Sequence, residues 1–401
     1  MGFVLLVSPS RTRDPLPVRL DRSARQERVL WNVDALLYWT DHPPMIKYDR
    51  PAALTAFQAI SEAQKLAFAP IAFQTSVALL RMGILEAVAD AGERGAAVEE
   101  LSKRLGYGEY GTRVLLDMGL SIGLVWLSEG RYVLDKIGHF LLNDEMTRTN
   151  IDFVADVCYG PMARLAESVA DGIPRGLEQL GRWSTVYQGL TQLPEPARRS
   201  WFAFDHFYSA SAFRAALEIV FAGRPRHILD IGGNTGAWAS ACLRHDDSVR
   251  VTIVDLPEQI EAARERFRGS EFEPRIDVHA TDLLDAHPRL PGGADTIWMS
   301  QFLDCFPEAQ IVRILELVAG VLPPGGSLFV LETLCDRQRH EAAAYSINAT
   351  SLYFTCVANG SSRMYWSEDL LRLFPQAGLR VHAQHDNLGL GHTLLQCVRA
   401  D

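Results

Sequence analysis

Acids placed at the ends of apolar runs are the residues of this sequence with the clearest chemical use. The segment His227-Ile-Leu-Asp-Ile-Gly-Gly-Asn-Thr-Gly-Ala-Trp238 carries an apolar run that ends in Asp230. Gly232, Gly233 and Gly236 follow, and a helical pattern then runs to Leu243. That order predicts a buried parallel strand, a tight turn and a helix start. Glycines there allow a ligand close to the main chain, and the helix start offers free N–H groups. A second apolar run, 249–254, ends in Asp255. An acid about 20 residues beyond such a turn accepts hydrogen bonds from ribose hydroxyls. Three more runs, 276–280, 296–299 and 327–331, lead into Asp282, into Ser300 and Asp304, and into Glu332. Polar groups thus collect along one edge of a parallel sheet, where open α/β sheets bind ligands. The competing role for Asp230 and Asp255 is helix capping after a strand, which their joint register with the glycines disfavours. The turn reads Gly-Gly-x-x-Gly, unlike a dinucleotide fingerprint, and no Gly-Lys-Ser/Thr follows.

Together these blocks resemble class I S-adenosylmethionine (SAM) methyltransferases. They are most similar to the small-molecule O-methyltransferase family of plant phenolic and bacterial antibiotic enzymes, over about residues 50–399. The resemblance implies an α/β fold, a doubly wound SAM-methyltransferase sheet with an N-terminal α-helical winged-helix dimerisation domain. It implies that Asp230, Gly232, Gly233 and Gly236 hold the methionine moiety and Asp255 the ribose. Leu256 would lie on the adenine, Asp282 would accept from its amino group, Leu283 would pack on the ring, and Ser300 would complete the set. Many family members have His-Asp-Trp after the fourth strand, the histidine deprotonating the acceptor. Ungapped placement puts Asp304-Cys305-Phe306 there, so an aspartate takes the base position. A shift of one residue would put Leu303 there and remove the base. Asp304 can still accept a proton where burial raises its pKa, or it can cap a helix before Pro307. Glu332 falls on the family's second acidic position, to orient substrate or base, or to bind backbone at the strand end.

Other elements must bring side chains to that edge. Trp201 to Val220 reads as a bridge helix, with His206 central on the stripe Phe202, Ala210, Phe213, Leu217 and Val220. His206 is either a satisfied core histidine or a group assisting Asp304. Tyr208, Phe302 and Tyr353, with Tyr345 and Met364, are candidates for an acceptor wall, or ordinary core. Arg337 and Arg339 carry forks that suit a carboxylate, or lie on a solvated loop. No His, Cys and Asp cluster has metal-ligand spacing.

A chain of 401 residues, nearly half apolar, has room for two or three domains and reads as a soluble globular protein. Its net charge of −10 argues against a large nucleic-acid surface. Residues 1–28 read as a mobile tail, 29–200 as the helical, winged-helix dimerisation domain and 201–401 as the SAM domain. Residues 30–68, with Trp31, Leu36 and Phe57, read as helices. A helix follows from about Ile71 to Val88, ending near Gly83-Ile-Leu. A short one is closed by Gly106, a third spans 110–124, and residues 126–133 form a hairpin. The third helix has only Arg113 and Asp117 as charges, too few for a groove-reading helix, so the unit suits a homodimer better than DNA. Residues 150–200 look helical, punctuated by Pro161, Pro174 and Pro194. Six scattered cysteines without a Cys-x-x-Cys pair indicate reduced thiols in a cytoplasm. The apolar runs are too short for a membrane span.

The expected function is SAM-dependent methylation of a small phenolic compound. The blocks Asp205-His-Phe-Tyr-Ser209, Ser300-Gln-Phe-Leu-Asp-Cys-Phe306 and Asp336-Arg-Gln-Arg339 resemble a bacterial subgroup that C-methylates tyrosine-like phenols, in secondary metabolism. Phenolic O-methylation is the alternative. A SAM-binding regulatory protein that lost catalysis with its histidine is the alternative of another class.

Overall fold

A computed structural model describes residues 51–400 of the chain, all within one compact unit. The tail expected over 1–28, and the stretch around Trp31 and Leu36, lie outside the described residues.

The N-terminal part opens with a helix, Ala56–Arg81, that breaks at Gly83. The single helix expected from about Ile71 to Val88 is therefore two, bent by 61°. Gly83 sits at φ 73°, a left-handed conformation that ends one helix and starts Ile84–Asp90. Helix Val98–Leu105 closes on Gly106, whose N–H donates to the Ser102 carbonyl at 2.9 Å, as expected. Helix Glu109–Ser121 and the hairpin β1 (Val125–Ser128) and β2 (Arg131–Leu134) complete the unit. Its core joins Leu79, Ile84, Leu101, Leu116 and Tyr132. Of the three charged residues on helix Glu109–Ser121, Arg113 and Asp117 are engaged: the Tyr132 hydroxyl donates to Asp117 at 3.0 Å, and Arg113 pairs with Glu99 at 3.3 Å.

The main sheet holds β3 (His227–Ile231), β4 (Arg250–Asp255), β5 (Ile276–Ala280), β6 (Thr296–Ser300), β7 (Ser327–Glu332), β8 (Leu379–Leu388) and β9 (His392–Arg399). Their order is β5-β4-β3-β6-β7-β9-β8. The pairs from β5 to β7 are parallel, whereas β9 lies antiparallel to both β7 and β8. Near-continuous apolar runs suit strands covered on both faces. Alternation sends Leu229 and Ile231 to one buried cluster and Ile228 to the other. On the second face Trp238 and Trp298 stack with ring centroids 3.8 Å apart. Strand order reverses between β3 and β6, which opens a crevice at their carboxyl ends.

The bridge helix, Ala197–Ala222, buries Ala212, Ala216 and, from the expected stripe, Val220, with Phe213 and Leu217 partly buried against the same cluster and His206 exposed. Alanines permit close approach to the sheet side, while Phe213 meets Trp238 edge-on at 5.2 Å. A fourth cluster joins Phe153, Val157, Leu177 and Leu190 to Tyr353, Phe354 and Val357, across the expected 200/201 boundary. Both its flanks, Val154–Cys158 and Phe354–Ala358, are π-helical, a distortion frequent near functional sites. Among the described residues no single helix is long and apolar enough to cross a membrane.

Candidate active site

A cavity of about 700 Å³ lies at the carboxyl edge of the sheet, under the bridge helix. Its floor is the glycine turn. Gly232 has φ 72°, and a Cβ there would come within 2.3 Å of the Phe302 ring. Gly233 lies against Asp230, where a Cβ would be 2.7 Å from the carboxylate. Gly236, at φ 79°, starts the helix Ala237–His245 and is packed on by Phe267; it shapes the turn without lining the cavity. Asn234, a non-glycine at φ 50°, donates its N–H to Asp255 Oδ2 at 2.8 Å. Leu256 N–H donates to the other oxygen at 2.7 Å. Both oxygens of Asp255 are thus oriented by backbone, which accounts for the capping role and leaves lone pairs toward the cavity.

Asp230, Gly232, Gly233, Asp255, Leu256, Asp282, Leu283 and Ser300 all line the cavity. Asp282 accepts from Leu284 N–H at 2.8 Å. Asp230 is buried, and burial with the nearby Asp255 charge pushes its pKa up to about 8. Asp230 Oδ2 and Ser300 Oγ are buried without a protein partner. Such atoms carry a desolvation penalty unless a ligand or water satisfies them.

Beyond the turn the cavity is walled by Tyr208, Trp201, Tyr353, Phe302 and Met364. Tyr208 donates to Asn150 at 2.8 Å, and Trp201 Nε1 donates to the Tyr353 hydroxyl at 2.6 Å. Tyr345, by contrast, is exposed and takes no part in this wall. Asp304 lines the cavity although only 4% exposed, while Leu303 is fully buried in the sheet core. The ungapped register therefore puts the aspartate, not the leucine, in the site. Burial, with the Asp205 charge adding to it, pushes the Asp304 pKa up to about 7. The Cys305 thiol, donating at 3.4 Å, counters part of that shift.

Four expected site residues stand elsewhere or act differently. Glu332 is buried behind the loop, and its Oε1 accepts from Phe302 N–H at 3.0 Å and Leu303 N–H at 2.8 Å. It does not line the cavity; it holds the loop that carries Asp304. Arg337 hydrogen-bonds Ser367 at 3.2 Å and lies 3.7 Å from Asp386 in an ion pair, and Arg339 is exposed. Neither arginine reaches the cavity, because Ser367 and the acids Asp336 and Asp386 hold Arg337 at the outer side of the loop. His206 does open onto the cavity, but as an exposed residue rather than on the buried stripe.

Asp205, which the sequence reading carried only within the block 205–209 and without a role of its own, also belongs to the cavity. It lines the cavity on the same helical face as Trp201 and Tyr208, and burial pushes its pKa up to about 6, with His206 opposing. The i, i+4, i+7 spacing of those three residues was a usable signal. Tyr187, from a 3₁₀ turn at Val186–Gln192, also lines the cavity, with its hydroxyl buried against the Cys305 thiol. No periodic pattern marked it.

An O-methyltransferase domain model matches residues 211–380, and a Dimerisation2-like domain model matches residues 61–132. The 3-hydroxy-5-methyl-1-naphthoate 3-O-methyltransferase of Streptomyces sahachiroi is 29% identical, over 69% of this chain and 78% of that protein. The 3-amino-4-hydroxybenzoate 4-O-methyltransferase of Streptomyces cremeus is 26% identical, over 75% and 79% respectively. Among solved structures, the S-adenosylmethionine-dependent methyltransferase SibL in its apo form aligns with a TM-score of 0.66 at 23% identity, covering 85% of this chain and 100% of that one. A sheet of this order, with acids at its strand ends and a glycine turn at the switch point, is that of a class I SAM-dependent methyltransferase. The chain carries a dimerisation-type domain followed by an O-methyltransferase domain, and its relatives are small-molecule O-methyltransferases. The turn fits that cofactor. Its backbone is exposed where glycines forgo a Cβ, and unpartnered Asp230 and Ser300 oxygens await donors or acceptors.

Proposed function

We propose that this enzyme methylates a small hydroxylated aromatic compound, with Asp304 taking the acceptor's proton. The observation that carries the proposal is one buried carboxylate, raised to about 7, in the cavity that also holds the glycine turn. SAM, when bound, supplies an electrophilic methyl group on sulfonium sulfur. Asp230 and Ser300 would hold its methionine end, Asp255 the ribose, and Asp282 with Leu283 the adenine. Trp201, Tyr208, Phe302 and Tyr353 would orient the acceptor ring and exclude water. The Asp304 carboxylate takes the hydroxyl proton as oxygen becomes the nucleophile. The relatives named above methylate phenolic oxygens of naphthoate and benzoate compounds, which supports oxygen as acceptor. Ring C-methylation of a tyrosine-like phenol is the finer reading, supported by aspartate in place of histidine and by the Asp205–Ser209 block. A phenolate carries charge on its ortho carbon, so the same base serves either outcome.

Incubation with SAM and a phenol panel that includes tyrosine, followed by mass spectrometry and NMR, is expected to give a product heavier by one methylene. A methoxy carbon would assign O-methylation, and a ring methyl would assign C-methylation. SAM binding with no product from any phenol would reject the proposal in favour of a regulatory SAM-binding role.

A homodimer formed through the N-terminal helices is part of the same reading. On helix Ala56–Arg81, Phe57, Ile60, Leu66, Phe68 and Ile71 are all more than half exposed, and the Dimerisation2-like match begins at residue 61. Contiguous apolar exposure of this kind marks a protein interface. Sedimentation at micromolar concentration is expected to give a dimer, and Phe57→Glu with Leu66→Glu a folded monomer. A monomeric wild type would reject the interface.

A further inference from the structure

The charges around the cavity are one-sided. Six carboxylates line it, from Asp205, Asp230, Asp255, Glu258, Asp282 and Asp304, together with His206. Among the described residues no lysine or arginine does so. Four of the six stand at or just beyond the ends of β3, β4 and β5, around the turn assigned to the cofactor. Asp205 and Asp304 are different. They stand among Trp201, Tyr187 and Tyr353, in the half left to the acceptor, where among the described residues no lysine or arginine faces them and His206 is the basic group set against Asp205. Asp304 is 4% exposed, and the Cys305 thiol is its neighbouring side-chain donor. Beside them the buried Tyr187 hydroxyl lies against the Cys305 thiol, with acceptor capacity left for a ligand.

We infer that the acceptor is an amine-bearing phenol, whose ammonium group is held by Asp205 while Asp304 is left to take the hydroxyl proton. This rests on the phenol reading above and narrows it. Two carboxylates in a low-dielectric pocket repel an anionic acceptor and are relieved by a cationic one. An ammonium offers three donors, enough to reach Asp205 Oδ and a neighbouring acceptor such as the Tyr187 hydroxyl. Asp205 suits this role because it stands on the bridge helix, whereas Asp304 stands on the loop leaving β6, in register with the family's base. With Arg337 and Arg339 turned away from the cavity, no described side chain there is matched to a carboxylate.

The test uses matched probes titrated calorimetrically into the full-length protein saturated with S-adenosylhomocysteine. Tyramine is expected to bind about tenfold or more tightly than tyrosol, as a charge-assisted hydrogen bond gives. The anion 4-hydroxyphenylacetate is expected to bind weakest. Asp205→Asn should bring tyramine and tyrosol within about twofold of each other, and Asp205→Glu should restore most of the difference. Equal binding of tyramine and tyrosol by the wild type overturns the inference whatever the variants do, as does tightest binding of 4-hydroxyphenylacetate. A tyramine preference that survives intact in Asp205→Asn also overturns it. The pair 2-phenylethylamine and 2-phenylethanol separates the two readings. A preference for this amine with no phenol methylated upholds the ammonium site and rejects the phenol. Methylated phenols without amine preference do the reverse.

Discussion

Asp304→Asn is expected to lower turnover about 10²–10⁴-fold, the usual contribution of a general base. A free phenol has a pKa near 10, so at neutral pH only about one molecule in a thousand is already phenolate. The amide keeps the size of the carboxylate but cannot take up a proton. Residual activity should therefore rise with pH as the phenol ionises by itself. In the wild type, activity should climb through about pH 7, where the raised Asp304 loses its proton. The stability effect has the opposite sign. The folded-state pKa lies above the unfolded value near 4, so the folded chain holds the extra proton between about pH 4 and 7. Folding stability should fall as pH rises across that window. Asp304→Asn, which never charges, should melt higher than wild type at pH 8. Near-normal turnover in Asp304→Asn, with loss in His206→Ala, would assign the base to the histidine.

Gly232→Ala should strongly weaken SAM binding. The residue sits at φ 72°, where an L side chain costs about 1–2 kcal/mol. The added methyl would lie 2.3 Å from Phe302 Cδ2, and overpacking of this kind costs about 1–3 kcal/mol more. Phe302 cannot yield easily. Its ring meets Phe306 at 4.9 Å, and its N–H is held by Glu332. Relief must come from the turn or from the loop carrying Asp304, and either movement damages the site. Calorimetry is expected to show about a thirtyfold or larger loss of SAM affinity, since the summed cost of about 2–5 kcal/mol begins at a factor of about 30. Affinity within twofold of wild type, with an unchanged melt, would mean that the turn is not the cofactor floor.

Residues whose role follows from local order were legible early. Asp230, the three glycines and Asp255 could be read because a buried strand, a turn and a helix leave a periodic pattern, and sheet edges collect polar ends. The break at Gly83 was harder. Apolar periodicity continues through it, and only the left-handed backbone separates the two helices. Tyr187 went unmarked, and Asp205 was seen only within its block, for a related reason: a 3₁₀ turn carries no long period, and an acid beside a histidine on one helix has no evident task until its face is known.

By itself the order of residues determined the parallel strands, the glycine turn, the acids at the strand ends and the candidate base, since each depends on neighbours within one strand–turn–helix unit. The tertiary structure alone decided which charged groups share the cavity. Glu332 ends β7 and Arg337 follows it, on the same sheet edge as the acids of β3, β4 and β5, yet hydrogen bonds to loop amides and ion pairs with Asp336 and Asp386 hold them outside the cavity. Asp205 comes from about a hundred residues before Asp304, on a helix whose rotation is set by Ala212, Ala216 and Val220 packing inward. Local sequence cannot encode that rotation, because it depends on the shape of the surface against which the helix packs.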